Sequence, residues 1–158
     1  MKQFYGLKKI RNVVCVATKE APDPNNWGEN EFMNSEVSAL MMDCPWYRIY
    51  DIIELFYQKI DTEQCAELEG KINEYFIEKG IGWKLSDGQI EVRGDETFET
   101  AVSEIETVLE ERKLSTSKTE IKEAIVDLSR RLVPEVTGAV QHSLAALECI
   151  CREVTGRV

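Results

Sequence analysis

The strongest constraint in this sequence is a run of apolar residues at helical spacing near its C-terminal end. They recur at intervals of four, four, three, four and three residues, which places them on one stripe of an α-helix. The stripe consists of Val136, Val140, Leu144, Leu147, Cys151 and Val154. We predict a helix over about 135–155 whose stripe is buried, with Thr155-Gly156 marking its end. Such a helix must pack against other helices.

The same helix is the best candidate for contact with another protein. Only Arg157 and Val158 follow it, so we expect nothing further in this sequence to cover its far side. We therefore predict an interaction face for a protein partner or a second copy, formed by Val140, Leu144, Leu147, Cys151 and Val154. The alternative is that the chain is a piece of a longer protein whose C-terminal effector sequence is missing.

Other segments with helical periodicity indicate a bundle of about five to six helices. Besides the last helix, we predict helices over about 46–60, 62–79, 95–113 and 118–132, and a weaker one over 36–44. Asp95 is expected to cap the helix over 95–113, and we expect its apolar stripe to be buried: Phe98, Val102, Ile105 and Leu109. In the helix over 46–60 a broad stripe is rich in aromatic residues, so we expect it to form the centre of the core. Its members are Trp46, Ile49, Tyr50, Ile53, Phe56, Tyr57 and Ile60.

Two segments favour β-structure. Asp87-Gly88 separates two short alternating runs, which predicts a β-hairpin over about 82–93. The apolar, β-branched run Val13–Ala17 predicts a short N-terminal strand, followed by a loop over Ala21–Asn26. The fold class is therefore α+β and mainly α. A chain of 158 residues is expected to form a single domain.

Composition narrows the classes of function. The net charge of −10 opposes binding to a phosphate backbone, although residues 1–19 carry five cations and no acid. Nucleic acid is thus an unlikely but not excluded partner. Five cysteines without a CxxC pair and a single histidine give no support for a metal site or a cofactor. With no signal peptide and no long apolar run, we predict a cytoplasmic protein that does not enter a membrane.

Three carboxylates border apolar stripes and are the most unusual polar positions in the chain. They are Asp51, Glu54 and Glu148, which we expect to be partly buried. Such groups can act as acids or bases, but more often they form structural ion pairs or hydrogen bonds. Arg48, Arg130, Arg131 and Arg152 are available partners. We therefore expect Glu148→Ala to lower stability more than any activity, and we predict no catalytic residue.

Three segments carry a family resemblance: Trp46–Glu54, Asn73–Gly88 and Ala139–Gly156. In this order they resemble the N-terminal domain of AbiJ-type abortive-infection proteins. Residues 1–35 form a poorly matched N-terminal segment, and residues 36–156 form the helical core with its hairpin. The resemblance implies a bacterial, cytoplasmic, mostly helical domain connected with defence against phage, without a known active site.

Two functions follow as hypotheses. The first is an interaction or sensor module of a phage-defence protein that is not catalytic by itself. The alternative is a nucleic-acid enzyme such as a HEPN-like ribonuclease, in which an Arg and a His a few positions apart cleave RNA by acid-base chemistry. His142 lies eleven residues after Arg131 and ten before Arg152, so the usual Arg/His motif is absent. His142 also lies about opposite the apolar stripe, where we expect it to be solvated.

Overall fold

The structure is a computed structural model that describes residues 2–26 and 30–156. Within these residues there are seven helices and one two-stranded sheet. The elements are α1 Lys2–Thr18, α2 Asn30–Asp43, α3 Trp46–Tyr57, α4 Thr62–Glu78, β1 Trp83–Ser86, β2 Gln89–Val92, α5 Glu96–Glu111, α6 Ser115–Leu128 and α7 Val136–Thr155. The mainly helical α+β class is confirmed, and the predicted helix count was slightly too low. Arg157 and Val158, expected to be all that follows the last helix, lie outside the described residues.

The contacts between residues divide the chain into two compact units. Unit 1 contains Met1–Lys71 and the hairpin tip Asp87–Gln89, and unit 2 contains Ile72–Ser86 and Ile90–Val158. The prediction that residues 1–158 form one domain stays a prediction.

The core of unit 1 includes the segment that we predicted to be a strand. Val13–Ala17 belongs to α1, so the predicted N-terminal strand was wrong. Val13, Val14 and Ala17 are all buried and pack with Val37 and Ile52. With half-buried Ile10, the α1 residues follow helical spacing, and a short apolar run does not by itself distinguish a strand from a buried helix. Burial in a helical core decided the conformation.

The end of α1 and the loop after it are held by one glutamate of α2. Lys19 adopts a left-handed conformation with φ 63°, which ends the helix. Glu36 then accepts hydrogen bonds from the Arg11 guanidinium at 3.1 Å and from the Asp23 backbone N–H at 2.9 Å. Burial alone would raise the pKa of Glu36, but these hydrogen bonds and the one from Asn26 lower it. The loop is therefore fixed by a charged acceptor.

The aromatic stripe of α3 is not the centre of the core. Trp46 is 53% exposed and makes edge contacts with Tyr47 and Tyr50, with ring centroids 5.9 and 5.6 Å apart. The fully buried residue of α3 is Ile52, which lies outside the predicted stripe. Helical spacing was predicted correctly. Ile49 and Phe56 of the predicted stripe are half-buried and pack against the core, so the inward face was predicted only in part.

In unit 2, two hydrogen bonds join the first hairpin strand to helix α4. The Asn73 side chain donates to the Leu85 carbonyl at 2.8 Å and accepts from the Leu85 N–H at 2.7 Å. Leu85 is 1% exposed, and Ile90 on the second strand is 3% exposed. The second strand is also tied to the end of α6, because Val92 N–H donates to the Ser129 hydroxyl at 2.9 Å. These contacts confirm the predicted hairpin and anchor it on both sides.

The hairpin tip, which belongs to unit 1, is a tight two-residue turn. Asp87 and Gly88 both have positive φ, 48° and 83°, as a type I′ turn requires. A Cβ on Gly88 would lie only 2.6 Å from Cδ1 of Tyr57. Gly88 is thus required both by backbone conformation and by the aromatic ring next to it.

Helix α5 begins as predicted but exposes much of its predicted stripe. The Asp95 carboxylate accepts from the Phe98 N–H at 2.8 Å, which confirms the N-cap. Leu109 is buried, whereas Phe98 is 41% and Ile105 43% exposed. The expectation that these two residues are buried was wrong. Within the described part of unit 2, α5 therefore presents apolar surface as well as its acidic residues.

Candidate interaction surface

The predicted stripe of α7 lies on the surface of the chain rather than in its core. The exposed fractions are 59% for Val136, 54% for Val140, 61% for Leu144, 56% for Leu147 and 76% for Val154, and Cys151 is exposed as well. The expectation that this stripe is buried within the chain was wrong. Leaving a row of large apolar side chains more than half exposed to water is energetically unfavourable along the whole helix.

A different face of α7 packs against α6. Its buried residues are Ala139 and Ala146, which are 4% and 3% exposed. Small side chains let two helix backbones approach closely, and Ala124 on α6 is also buried. Helix α7 therefore has two apolar faces: a small-residue face that is covered by α6, and the large-residue stripe that is not.

The stripe continues into a groove beside α5. This groove has a volume of about 700 Å³, and its lining includes Ile105 and Val108 of α5 and Ile150 and Val154 of α7. Val108 is 50% exposed, and Val154 belongs to both the stripe and the groove. Together the two helices expose apolar side chains that join the stripe to the groove. Contiguous apolar patches on a protein surface can mark contact sites.

A histidine between α6 and α7 forms the main polar cluster of unit 2. His142 Nδ1 lies 2.7 Å from a carboxylate oxygen of Glu120, and its Nε2 lies 3.8 Å from Asp127. The hydrogen bond to Glu120 and the nearby carboxylates raise the pKa of His142, against a smaller opposing effect of burial. His142 is thus a paired histidine on the packed side of α7, and not the solvated one that we expected.

Asp127 is the buried member of this cluster, with only 7% of its side chain exposed. It pairs with Arg130 at 2.7 Å, and a Cβ on Gly138 would clash with one of its carboxylate oxygens. Sequence reasoning missed Glu120, Asp127 and Gly138. The available signal was the spacing of Glu120, Glu123 and Asp127 along one face of α6, which a single histidine on the next helix could complete.

The cluster is acidic and shows no metal-binding arrangement. His142 lies beside the carboxylates of Glu120 and Asp127, so a phosphate backbone approaching this histidine would meet negative charge. Across residues 2–26 and 30–156, no group of three or more His, Cys, Asp or Glu side chains could hold a metal ion. The arrangement serves best as an ionic link between two helices.

The two predicted carboxylates of α3 are partly buried. Asp51 pairs with Arg48 at 2.8 Å, and about a quarter of each side chain is exposed. Glu54 lies one turn further along and is also half-buried. The Arg48–Asp51 pair links two positions of the same helix, as expected for a structural ion pair. The α3 carboxylates lie in unit 1 and α7 lies in unit 2, so they do not form one described site.

Glu148 does not fit the prediction of a partly buried carboxylate. Its side chain is 64% exposed and pairs with Arg152, itself 63% exposed, at 2.6 Å. It lies beside the exposed stripe instead of between packed helices, because the stripe that it borders is uncovered. The pair is an ordinary solvated link between residues four apart on a helix.

We now expect Glu148→Ala to change the free energy of unfolding by less than about 0.5 kcal/mol, because an exposed i,i+4 pair contributes little. Urea unfolding followed by circular dichroism measures the change. Glu153→Ala, an exposed position on the same helix, is the matched control. A loss well above that of the control would mean that Glu148 is covered in solution.

A comparison with known protein families identifies the first two thirds of the chain. The model of the AbiJ N-terminal domain 4 family matches residues 2–108. The chain belongs to this family. Neither the curated proteins nor the solved structures contain a significant match.

The extent of the AbiJ N-terminal domain 4 match differs from our motif comparison at both ends. The match includes α1 and α2. It therefore covers residues 2–35 of the segment that we described as poorly matched. It ends within α5, so the motif Ala139–Gly156 lies outside it. The exposed stripe of α7 is thus carried by a part of the chain that follows the family domain.

Among the residues that the structure describes, no helix is both long and apolar enough to cross a membrane.

Proposed function

We propose that this chain is an interaction module of a bacterial abortive-infection protein, and that it contacts another polypeptide through the exposed stripe of α7. The observation that carries the proposal is the row of large apolar residues on α7, each more than half exposed, on a helix that is already packed against α6. Membership of the AbiJ N-terminal domain 4 family supports the connection with phage defence.

The spacing of the stripe favours a helical partner. From Val140 to Val154 the exposed residues alternate steps of four and three, the pattern by which one helix packs along another. Glu148, which borders the stripe, pairs with Arg152, so this ion pair adds no net charge beside the stripe. In a chain of net charge −10, an apolar strip is a part that a second protein surface can approach without strong repulsion.

A non-catalytic module is the better proposal than a ribonuclease. His142 is held by Glu120 and lies near Asp127, and this acidic environment disfavours RNA binding there. Arg130, which contacts the cluster, is itself paired with Asp127. RNA cleavage by the purified chain that disappears in His142→Ala would contradict the proposal and support the enzymatic alternative.

The test is phage protection in bacteria that express the gene encoding this chain in full. Each of the variants Leu144→Glu and Leu147→Glu introduces a charge into the proposed contact, and we expect protection to fall to the level of cells without the gene. Gln141→Glu adds the same charge at an exposed position of α7 away from the stripe and should retain protection. Circular dichroism and thermal melts establish that all three variants fold.

Three outcomes would contradict the proposal. The unmodified protein could fail to protect against every phage of a broad panel, which would remove the connection with defence. The two stripe variants could protect as well as the parent, which would show that the stripe is not a functional contact. The control could lose protection equally, which would assign the effect to added charge rather than to the stripe.

A further inference from the structure

Unit 1 contains a second candidate contact site, a groove between α1 and α3. A cavity of about 400 Å³ lies between the two helices, and its floor is formed by Val13, Val16 and Leu55. Its rim carries Lys9 and Asn12 from α1, and Gln58 and Lys59, which follow α3. Among the described residues, no carboxylate belongs to the lining. The groove therefore combines an apolar floor with a positive rim.

The floor is continuous with the core but remains open to solvent. Val13 is 5% exposed and packs with the buried core of unit 1, whereas Val16, three residues further along the same face, is 66% exposed. An apolar side chain placed in the groove would cover Val16 and rest on residues that are already rigidly packed. A preformed floor of this kind lowers the ordering cost of binding.

The two lysines on the rim are not paired with acidic side chains of the described residues. Acidic residues outnumber basic ones by 29 to 19, and several other lysines, such as Lys71 and Lys84, pair with glutamates. Within the described residues, neither Lys9 nor Lys59 forms an ion pair. Two unpaired positive charges beside an apolar floor are therefore available to a ligand that is both acidic and apolar.

We propose that the groove between α1 and α3 binds an acidic amphipathic helix of a partner protein. Apolar side chains from one face of that helix would enter the groove and contact Val16 and Leu55, as in helix-in-groove recognition. Glutamates or aspartates flanking that face would pair with Lys9 and Lys59 on the rim. This site lies within the matched AbiJ N-terminal domain 4 region and is independent of α7.

A protein ligand fits the groove better than a nucleic acid does. Single-stranded nucleic acids bind on grooves in which aromatic side chains stack on the bases, and no aromatic residue belongs to the lining among the side chains that the structure describes. The floor is aliphatic, which matches leucine or valine side chains. The net charge of −10 also opposes a phosphate backbone over a long range, whereas a short acidic helix contacts only the local positive rim.

The experiment measures binding of a fluorescent helical peptide, with leucines at helical spacing and glutamates between them, to the full chain by anisotropy. We expect the peptide to bind, and a peptide with lysine in place of every glutamate to bind at least tenfold more weakly. The double variant Lys9→Glu/Lys59→Glu should weaken binding of the glutamate peptide about tenfold. Val16→Glu should weaken it by a similar factor, because it places a charge on the floor.

The control variant reverses two lysines outside the groove. Lys79→Glu/Lys113→Glu makes the same change in net charge and should leave binding within twofold of the parent. Equal loss in the control, unchanged binding in Lys9→Glu/Lys59→Glu, or no binding of the glutamate peptide to the parent would each overturn the proposal. So would a single-stranded RNA oligonucleotide that binds in place of the peptide and depends on Lys9 and Lys59.

Discussion

Gly88→Ala should lower the free energy of unfolding by about 2–4 kcal/mol. A side chain at φ 83° costs about 1–2 kcal/mol in backbone strain. The added Cβ would also lie 2.6 Å from Cδ1 of Tyr57, and such overpacking typically costs about 1–3 kcal/mol more. Urea unfolding of the variant and of the parent protein measures the difference.

The matched control for this prediction is Gly80→Ala. Gly80 also has a positive φ, 65°, but apart from its chain neighbours no atom of the described residues lies within 4 Å of the Cβ that alanine would add. It should therefore show the backbone cost alone, about 1 kcal/mol. Equal losses at the two positions would show that Tyr57 does not lie against the turn. In a Tyr57→Leu background the excess cost of Gly88→Ala should shrink, since the rigid ring is gone.

Asn73→Leu should lower the free energy of unfolding by about 2–4 kcal/mol as well. The amide of Asn73 satisfies both the N–H and the carbonyl of Leu85, at 2.7 and 2.8 Å. Leu85 is nearly inaccessible to water, so leucine at position 73 would leave two buried backbone groups without partners. Each such group costs about 1–3 kcal/mol, offset in part by the added apolar contact.

Two measurements separate this effect from a general weakening of α4. Glu74→Leu changes the neighbouring exposed residue and should alter the free energy of unfolding by less than about 0.5 kcal/mol. Amide hydrogen exchange at Leu85 should speed up in Asn73→Leu more than exchange elsewhere in the hairpin. If Asn73→Leu is as stable as Glu74→Leu, the hydrogen bonds between Asn73 and the hairpin do not form in solution.

Short-range signals predicted the local elements of this chain well. The Asp87-Gly88 turn gave the hairpin because only residues that tolerate positive φ can form a two-residue connection. Asp95 gave the start of α5 because its carboxylate satisfies a free N–H of the first turn. Each of these signals depends on a few neighbouring residues, so no knowledge of the rest of the molecule was needed.

Contacts between residues that are distant in sequence were harder to predict, and Val13–Ala17 shows why. Its β-branched residues favour a strand, but α1 buries them against Val37 and Ile52, which are distant in sequence. The cluster at His142 is a similar case, because Glu120 lies 22 residues before the histidine that it pairs with. In neither case does a local sequence motif predict which distant residue will be the partner. Only helix packing brings such groups together.

The sequence by itself determined that this protein is mainly helical, where its hairpin turns, and that residues 140–154 form an apolar stripe on the last helix. Tertiary structure decided which surfaces are covered: α6 packs against the small residues Ala139 and Ala146, and Leu144 and Leu147 are left in solvent. The physical reason is that periodicity defines the direction of each side chain around its own helix axis, whereas burial depends on which neighbouring helix can approach most closely.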